Sequence, residues 1–382
     1  MKEQTILKEE TMKIDIRRKY SNWPLAMAFT FVLLFGCSDL EETPDYINPN
    51  TFYKSATELQ LGVNAIYDDL TMGSNDWFNY FYNRYVFECL IGYQVGWEKQ
   101  PLQYNLGNVS PQDDVIEAYW LQSYRSINRA NEILEVAEKV DDPANAELIE
   151  RLKGEAQFLR AFYYYGLLSY FDNAPISLKG TKDLSDLPSN SGGTRALIDQ
   201  IYADCNAAAA VLPESYTGAN IGRATHWAAK TLLMKAQLWD QKWTDAKATA
   251  EDIMNNSGIT LFDDFSHNFD VDHENMNERI FEGQVSAAAN ANEYNNHSAH
   301  FNPEDYPTAL GGAGWSWLSA TQEFRGSYDI NDKRIPGTFI ESYPTARTKK
   351  TSAGEFPIVR WSESAPYNLS RFGGIVDPNA DP

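Results

Sequence analysis

The side chains best suited to do chemistry in this sequence are flat rings set among Asn, Asp, Gln and Arg, and their chemistry is non-covalent. Ring faces stack on the C–H faces of sugars, while amides, carboxylates and guanidinium groups read hydroxyls. Two stretches concentrate them. Trp77, Tyr93 and Trp97 stand in the first, with Arg84 nearby. Tyr294, Trp315, Trp317 and Tyr343 stand in the second. Gly311-Gly312-Ala313-Gly314 precedes Trp315, and such a run lets backbone approach a ligand closely. Any one of these rings could instead pack between a loop and a scaffold. The expectation is that the two stretches converge on one exposed face and that at least one ring touches ligand.

Other chemistries are weakly signalled. Asp270, Asp272 and Glu274 alternate as in a calcium loop, but the sixth position is not Gly and the twelfth is Phe281. His297 and His300 lack an obvious third ligand. No metal or cofactor is expected. Carboxylates are abundant enough for a glycosidase pair, yet there is no Gly-x-Ser-x-Gly elbow, no His-Glu-x-x-His and no phosphate loop. Binding is therefore expected rather than catalysis. The formal net charge of -21 argues against nucleic acid and against an anionic membrane surface. It is compatible with a neutral ligand such as a sugar.

The elements that must position these rings begin after an address. Basic residues between Lys13 and Lys19 precede an apolar run from Leu25 to Phe35, then Leu34-Phe35-Gly36-Cys37. The run is too short to span a bilayer as an ordinary helix and reads as a secretory signal over 1–36, starting at Met12. Cys37 in this lipobox is the expected lipidation site, with 37–54 as a tether. Cys89 and Cys205 are the other cysteines; export permits a disulfide between them, but Cys205 in an Ala-rich helical stretch reads as a buried thiol.

Helical periodicity dominates 55–256. Ser55 and Glu58 form a capping box, and 71–108 is irregular with a helix around 78–90. Ser110-Pro111 and Asp142-Pro143 are expected to open two long helices that pair as a hairpin, with Ile116, Tyr119, Ile127 and Leu134 buried on the first and Leu148, Leu159 and Tyr163 on the second. Arg129 and Arg160 on these helices read as structural. Further helices are expected over 196–212, 224–240 and 243–255. Ala229, Ala236, Ala246 and Ala250 give the last two the close approach of a tetratricopeptide-like unit. The chain from 257 to 382 is rich in Gly, Asn, Pro and aromatics and reads as a loop-rich lobe, with a short strand at 280–285 and a helical turn at 321–324.

Several blocks, in order, resemble SusD/RagB proteins: Cys37-Ser38-Asp39, Gly62-Val63-Asn64-Ala65-Ile66-Tyr67, Ile127-Asn128-Arg129-Ala130-Asn131, Phe158-Leu159-Arg160-Ala161-Phe162, Gly222-Arg223-Ala224-Thr225 and Asp332-Lys333-Arg334. The resemblance implies a mainly α fold, in which tetratricopeptide-like hairpins form a scaffold and the loop-rich lobe packs on it. It implies a surface-exposed outer-membrane lipoprotein that captures glycan and delivers it to a SusC-like TonB-dependent transporter. Asp39, Glu41 and Glu42 look like the surface-export signals of such lipoproteins. A helical scaffold binding only protein is the alternative. Members of the family usually continue with another hairpin opened by an Arg-Tyr-Ala-Asp-like block, which this sequence lacks before Pro382; a truncated product is the corresponding expectation.

Overall fold

Ser55 and Glu58 start helix α1 (Ala56–Thr71). The Ser55 hydroxyl accepts the Glu58 N–H at 3.3 Å and the Glu58 carboxylate accepts the Lys54 N–H, satisfying donors that a first turn leaves free. Asp142, far along the chain, accepts the Ala56 N–H at 3.1 Å. These contacts are seen in a computed structural model that describes residues 52–71, 80–88, 94–96, 103–181, 183, 187–284, 301–302, 314, 318–340, 342–351, 354–361 and 375–376. The chain divides into two units, 1–52 and 53–382, and every element named below belongs to the second.

Helix α2 (Tyr80–Glu88) falls where a short helix was expected. Helix α3 (Asp114–Ala137) begins at Asp114 rather than at Pro111. Ser110 closes a turn with the Gln112 and Asp113 N–H groups, and Asp113 is the true cap, taking the Val115 N–H at 2.9 Å. Pro143 opens a 3-10 turn that leads into α4 (Ala146–Phe171). Then come α5 (Gly193–Val211), α6 (His226–Trp239) and α7 (Trp243–Asn256). Thr225 caps α6 by accepting the Ala228 N–H at 3.1 Å.

From α3 to α7 each helix packs on the next in sequence, and α1 lies against α3 and α4. That is the nearest-neighbour stacking of a helical repeat. The core runs through it continuously, from Leu59, Val63 and Ile66 through Ile127, Leu159 and Tyr163 to Ile201 and Leu232. Ala229, Ala236 and Ala246 are buried at the α6–α7 contact as expected. On α3 and α4 Tyr119, Ile127, Leu159 and Tyr163 are buried as expected, whereas Ile116, Leu134 and Leu148 are half-buried beside the buried Val115, Ile133 and Ile149. Cys205 is a buried free thiol; Cys89 lies outside the described residues.

Ion pairs fasten the stack internally. Arg160 donates to both Asp204 oxygens at 2.8 and 2.6 Å and to the Asn131 amide oxygen at 2.7 Å, joining α4, α5 and α3. Arg125 and Arg129 hold Asp69, each at 2.7 Å, joining α3 to α1. Arg129 and Arg160 are structural, as expected.

Beyond α7 come two 3-10 turns (Phe265–Phe269 and Val271–His273) and the short helices α8 (Gln322–Gly326) and α9 (Ile335–Thr338). Thr321 caps α8 where a helical turn was expected. The strand expected at 280–285 is not formed among the described residues 280–284; Ile280 and Phe281 pack on the helical core as loop residues. Strand β1 (Gln94–Gly96) pairs antiparallel with β2 (Leu318–Ala320). A hairpin of β3 (Ser342–Thr351) and β4 (Gly354–Trp361), with β5 (Ile375–Val376) parallel to β4, was not expected. Its sequence hides it, because Thr345 to Thr351 has no apolar alternation and Pro344 and Pro357 interrupt the strands. Among the described residues no helix is long and apolar enough to cross a membrane.

Candidate functional site

A cleft of about 630 Å³ opens between α2, α4 and α6 on one side and the 265–282 segment on the other. Its floor is built from the C-terminal half of α4. Gly166 lacks a Cβ where one would collide with the hydroxyls of Tyr80 and Tyr119. That lets the two tyrosines stack, with centroids 4.8 Å apart and the Tyr119 hydroxyl donating to the Tyr80 hydroxyl at 2.8 Å. Burial pushes the Tyr80 hydroxyl up to about 12, so it stays protonated and neutral.

Above this floor stands Arg84, the one predicted contact residue whose side chain is described. It lines the cleft, hydrogen-bonds to Tyr170 and lies 3.9 Å from Glu88. Tyr165 of α4 also lines the cleft, with the Lys235 ammonium 5.6 Å from its ring centre. The opposite wall is pinned by Phe281, whose ring meets Phe158 edge-on at 4.9 Å and Phe162 at 5.8 Å. Phe269 is 67% exposed at the mouth. Asn268 donates to Glu278 at 2.6 Å, and Arg279 pairs with Glu282 at 2.6 Å. The cleft thus offers ring faces, an amide and cationic donors to one ligand.

Trp77, Tyr93, Trp97, Tyr294, Trp315 and Trp317 lie outside the described residues, as does Cys37. Tyr343 stands in β3 with Arg360 as its partner in β4. The backbone nevertheless links the two aromatic stretches. β1 follows Tyr93 and precedes Trp97 in sequence, β2 directly follows Trp317, and Gly96 is paired with Leu318. Lys235, Tyr165 and Phe281 were missed in the sequence. The signal for Lys235 was present: Ala228, Leu232 and Lys235 fall on one helix face, which is otherwise apolar. Among the described residues no group of three or more His, Cys, Asp or Glu side chains could hold a metal. Asp270 instead caps a 3-10 turn through the Asp272 N–H at 2.9 Å.

Solved structures share this architecture. A SusD superfamily protein from Parabacteroides distasonis matches 76% of this chain and 63% of its own with a TM-score of 0.66 at 21% identity. Surface glycan-binding protein A from Bacteroides thetaiotaomicron, solved with laminarihexaose, matches 73% and 62% with a TM-score of 0.61 at 19% identity. In sequence, SusD-like protein P2 of Formosa agariphila is 26% identical over 90% of this chain and 68% of that protein. A SusD-like protein of Bacteroides ovatus is 25% identical over 67% of this chain and 48% of its own length. The chain spans about half to two thirds of the length of the proteins it matches. A family model described as SusD-like, starch-binding and associating with the outer membrane matches residues 40–238, just over half of the chain and the stretch that carries α1 through most of α6. The protein belongs to this SusD-like family of glycan-binding, outer-membrane-associated proteins.

Proposed function

We propose that this protein captures oligosaccharide or polysaccharide at the cell surface, without cleaving it, and passes it to a SusC-like TonB-dependent transporter. The observation that carries the reading is the open, ring-lined cleft on a scaffold of this family. Half-buried Tyr165, Tyr170 and Phe162 leave faces for stacking, and an open site suits a polymer that must be caught and released. The glycan-bound relative supports the ligand class. Cys37 would anchor the chain through acyl groups, with 37–54 as the tether, 55–256 as the scaffold and 257–382 as the ligand-binding lobe.

Trp77, Tyr93, Trp97, Tyr294, Trp315, Trp317 and Tyr343 would supply further stacking, and the β1–β2 pairing joins the backbone next to Tyr93 and Trp97 to the backbone next to Trp317. Loss of one important ring should weaken binding by about 1–3 kcal/mol, by analogy with base stacking on aromatic side chains. The test is calorimetry on the whole mature chain against a wide polysaccharide panel, with reducing-sugar release followed in parallel and the transporter sought by co-purification from membranes. Binding without sugar release, lost in part in Trp97→Ala and Trp317→Ala, is expected. Release of reducing ends, or no binding anywhere on the panel, would overturn the reading.

A further inference from the structure

Resting on that reading, we propose that the cleft takes an anionic glycan, one bearing carboxylate or sulfate groups, and that Arg84 and Lys235 read the negative charge. The charges lining the cleft are Arg84, Lys235, Arg279, Glu278 and Glu282. Three are occupied. Arg279 is held by Glu282 at 2.6 Å and by the Asp270 carbonyl at 3.0 Å. Glu278 accepts from the Asn268 amide at 2.6 Å and from the Phe262 N–H at 3.4 Å.

Arg84 and Lys235 remain without a close carboxylate; Arg84 donates to the neutral Tyr170 hydroxyl. The carboxylate nearest Arg84 in an ion pair is Glu88, at 3.9 Å and on the same exposed rim. Lys235 makes no ion pair among the described residues; its recorded partner is the Tyr165 ring. Burial against the cleft and then the neighbouring Arg84 both depress the Lys235 ammonium below its ordinary value.

Two cations held near each other in a partly dehydrated cleft repel one another. The arrangement is unfavourable in the free protein and becomes favourable when an anion enters between them. It also runs against the rest of the molecule. With a net charge of -21, acidic side chains are plentiful, yet none among the described residues pairs with Lys235. A polyanion would be repelled by most of the surface, which confines it to this site. The rings of Tyr165 and Tyr170 beside the two cations supply the stacking face that a simple anion such as phosphate would not use.

The experiment is calorimetry on the whole mature chain with three probes: oligogalacturonate, which carries carboxylates, κ-carrageenan oligosaccharide, which carries sulfates, and neutral laminarihexaose. At least one acidic probe should bind, and the arm that binds identifies the group. Its affinity should fall steeply between low and high salt, as screening of a partly exposed pair requires. Lys235→Gln and Arg84→Gln should each weaken it by about tenfold, the worth of one charge-assisted hydrogen bond. Lys235 keeps part of its side chain in solvent and makes no ion pair among the described residues, so Lys235→Gln should keep the wild-type melting temperature. If laminarihexaose or another neutral glycan binds as tightly as the acidic probes, the charge inference fails and glycan capture stands. Acidic binding unchanged in both variants also overturns it. If nothing on the wide panel binds, both readings fall together.

Discussion

One added carbon at Gly166 should strain the floor of the cleft. A Cβ there runs into the hydroxyls of Tyr80 and Tyr119. Those hydroxyls are bonded to each other at 2.8 Å, and both side chains are fully buried, so neither can swing into solvent. Overpacking of this kind costs about 1–3 kcal/mol. Parting the hydroxyl pair adds about 1 kcal/mol, and replacing Gly by Ala inside a helix returns about 1 kcal/mol. Gly166→Ala should therefore destabilise the protein by about 1–3 kcal/mol, a fall in melting temperature of about 1–4 °C for a unit this large. Tyr80→Phe with Tyr119→Phe removes both obstructing oxygens. In that background Gly166→Ala should become neutral or stabilising by up to about 1 kcal/mol, a coupling typical of side chains in contact. Urea unfolding followed by far-ultraviolet circular dichroism, on all four combinations, gives the numbers. The reasoning is refuted if Gly166→Ala raises the midpoint in the wild-type background, or if its effect is the same in both backgrounds.

Arg160→Ala should cost about 3–5 kcal/mol, because Asp204 is left buried and unpaired; adding Asp204→Leu should recover part of that loss in the same unfolding assay. Phe281→Ala should cost about 2–3 kcal/mol, less than a fully buried ring, and hydrogen exchange should rise in the 262–284 segment while α3 and α5 stay protected. Binding of an acidic glycan should fade as pH rises through the Lys235 value, which burial and then Arg84 hold below the ordinary 10.5; a pH series should show the loss earlier than for an ordinary lysine, and Lys235→Gln should abolish that limb. Cys37→Ala should stop palmitate labelling and release the protein from the membrane fraction, and persistent labelling would refute the lipobox.

The helical scaffold was legible because it obeys local rules. Caps such as Ser55 with Glu58, and small residues such as Ala229 and Ala236, mark where helices begin and where they touch. Errors of detail arose where two caps competed. Ser110-Pro111 and Asp113 both suit a helix start, and the carboxylate at Asp113 won. The half-burial of Ile116 and Leu134 on α3 has a related cause. Gln122, Ser126 and Asn131 are buried for their hydrogen bonds, and a reading that counts only apolar residues places the stripe where those residues are not. The β3–β4 hairpin was invisible because its residues carry neither alternation nor a familiar two-residue turn.

The cleft was half legible, for a reason of scale. Rings in loops announce themselves by composition, so Trp97 and Trp317 are readable in the sequence, with Arg84 near the first of them. Lys235 and Tyr165 stand on different repeats, 70 positions apart in sequence, and nothing local ties them together. Only the stacking of α4 against α6 brings the ammonium over the ring. The same stacking explains how an acidic chain can hold a cationic site. Carboxylates at Asp69, Glu155 and Asp204 are committed to the arginines that fasten the helices, so they stabilise the scaffold without neutralising the cleft. Net charge describes the surface that a ligand meets at a distance; what the ligand meets on arrival is set by which charges the fold has left without partners.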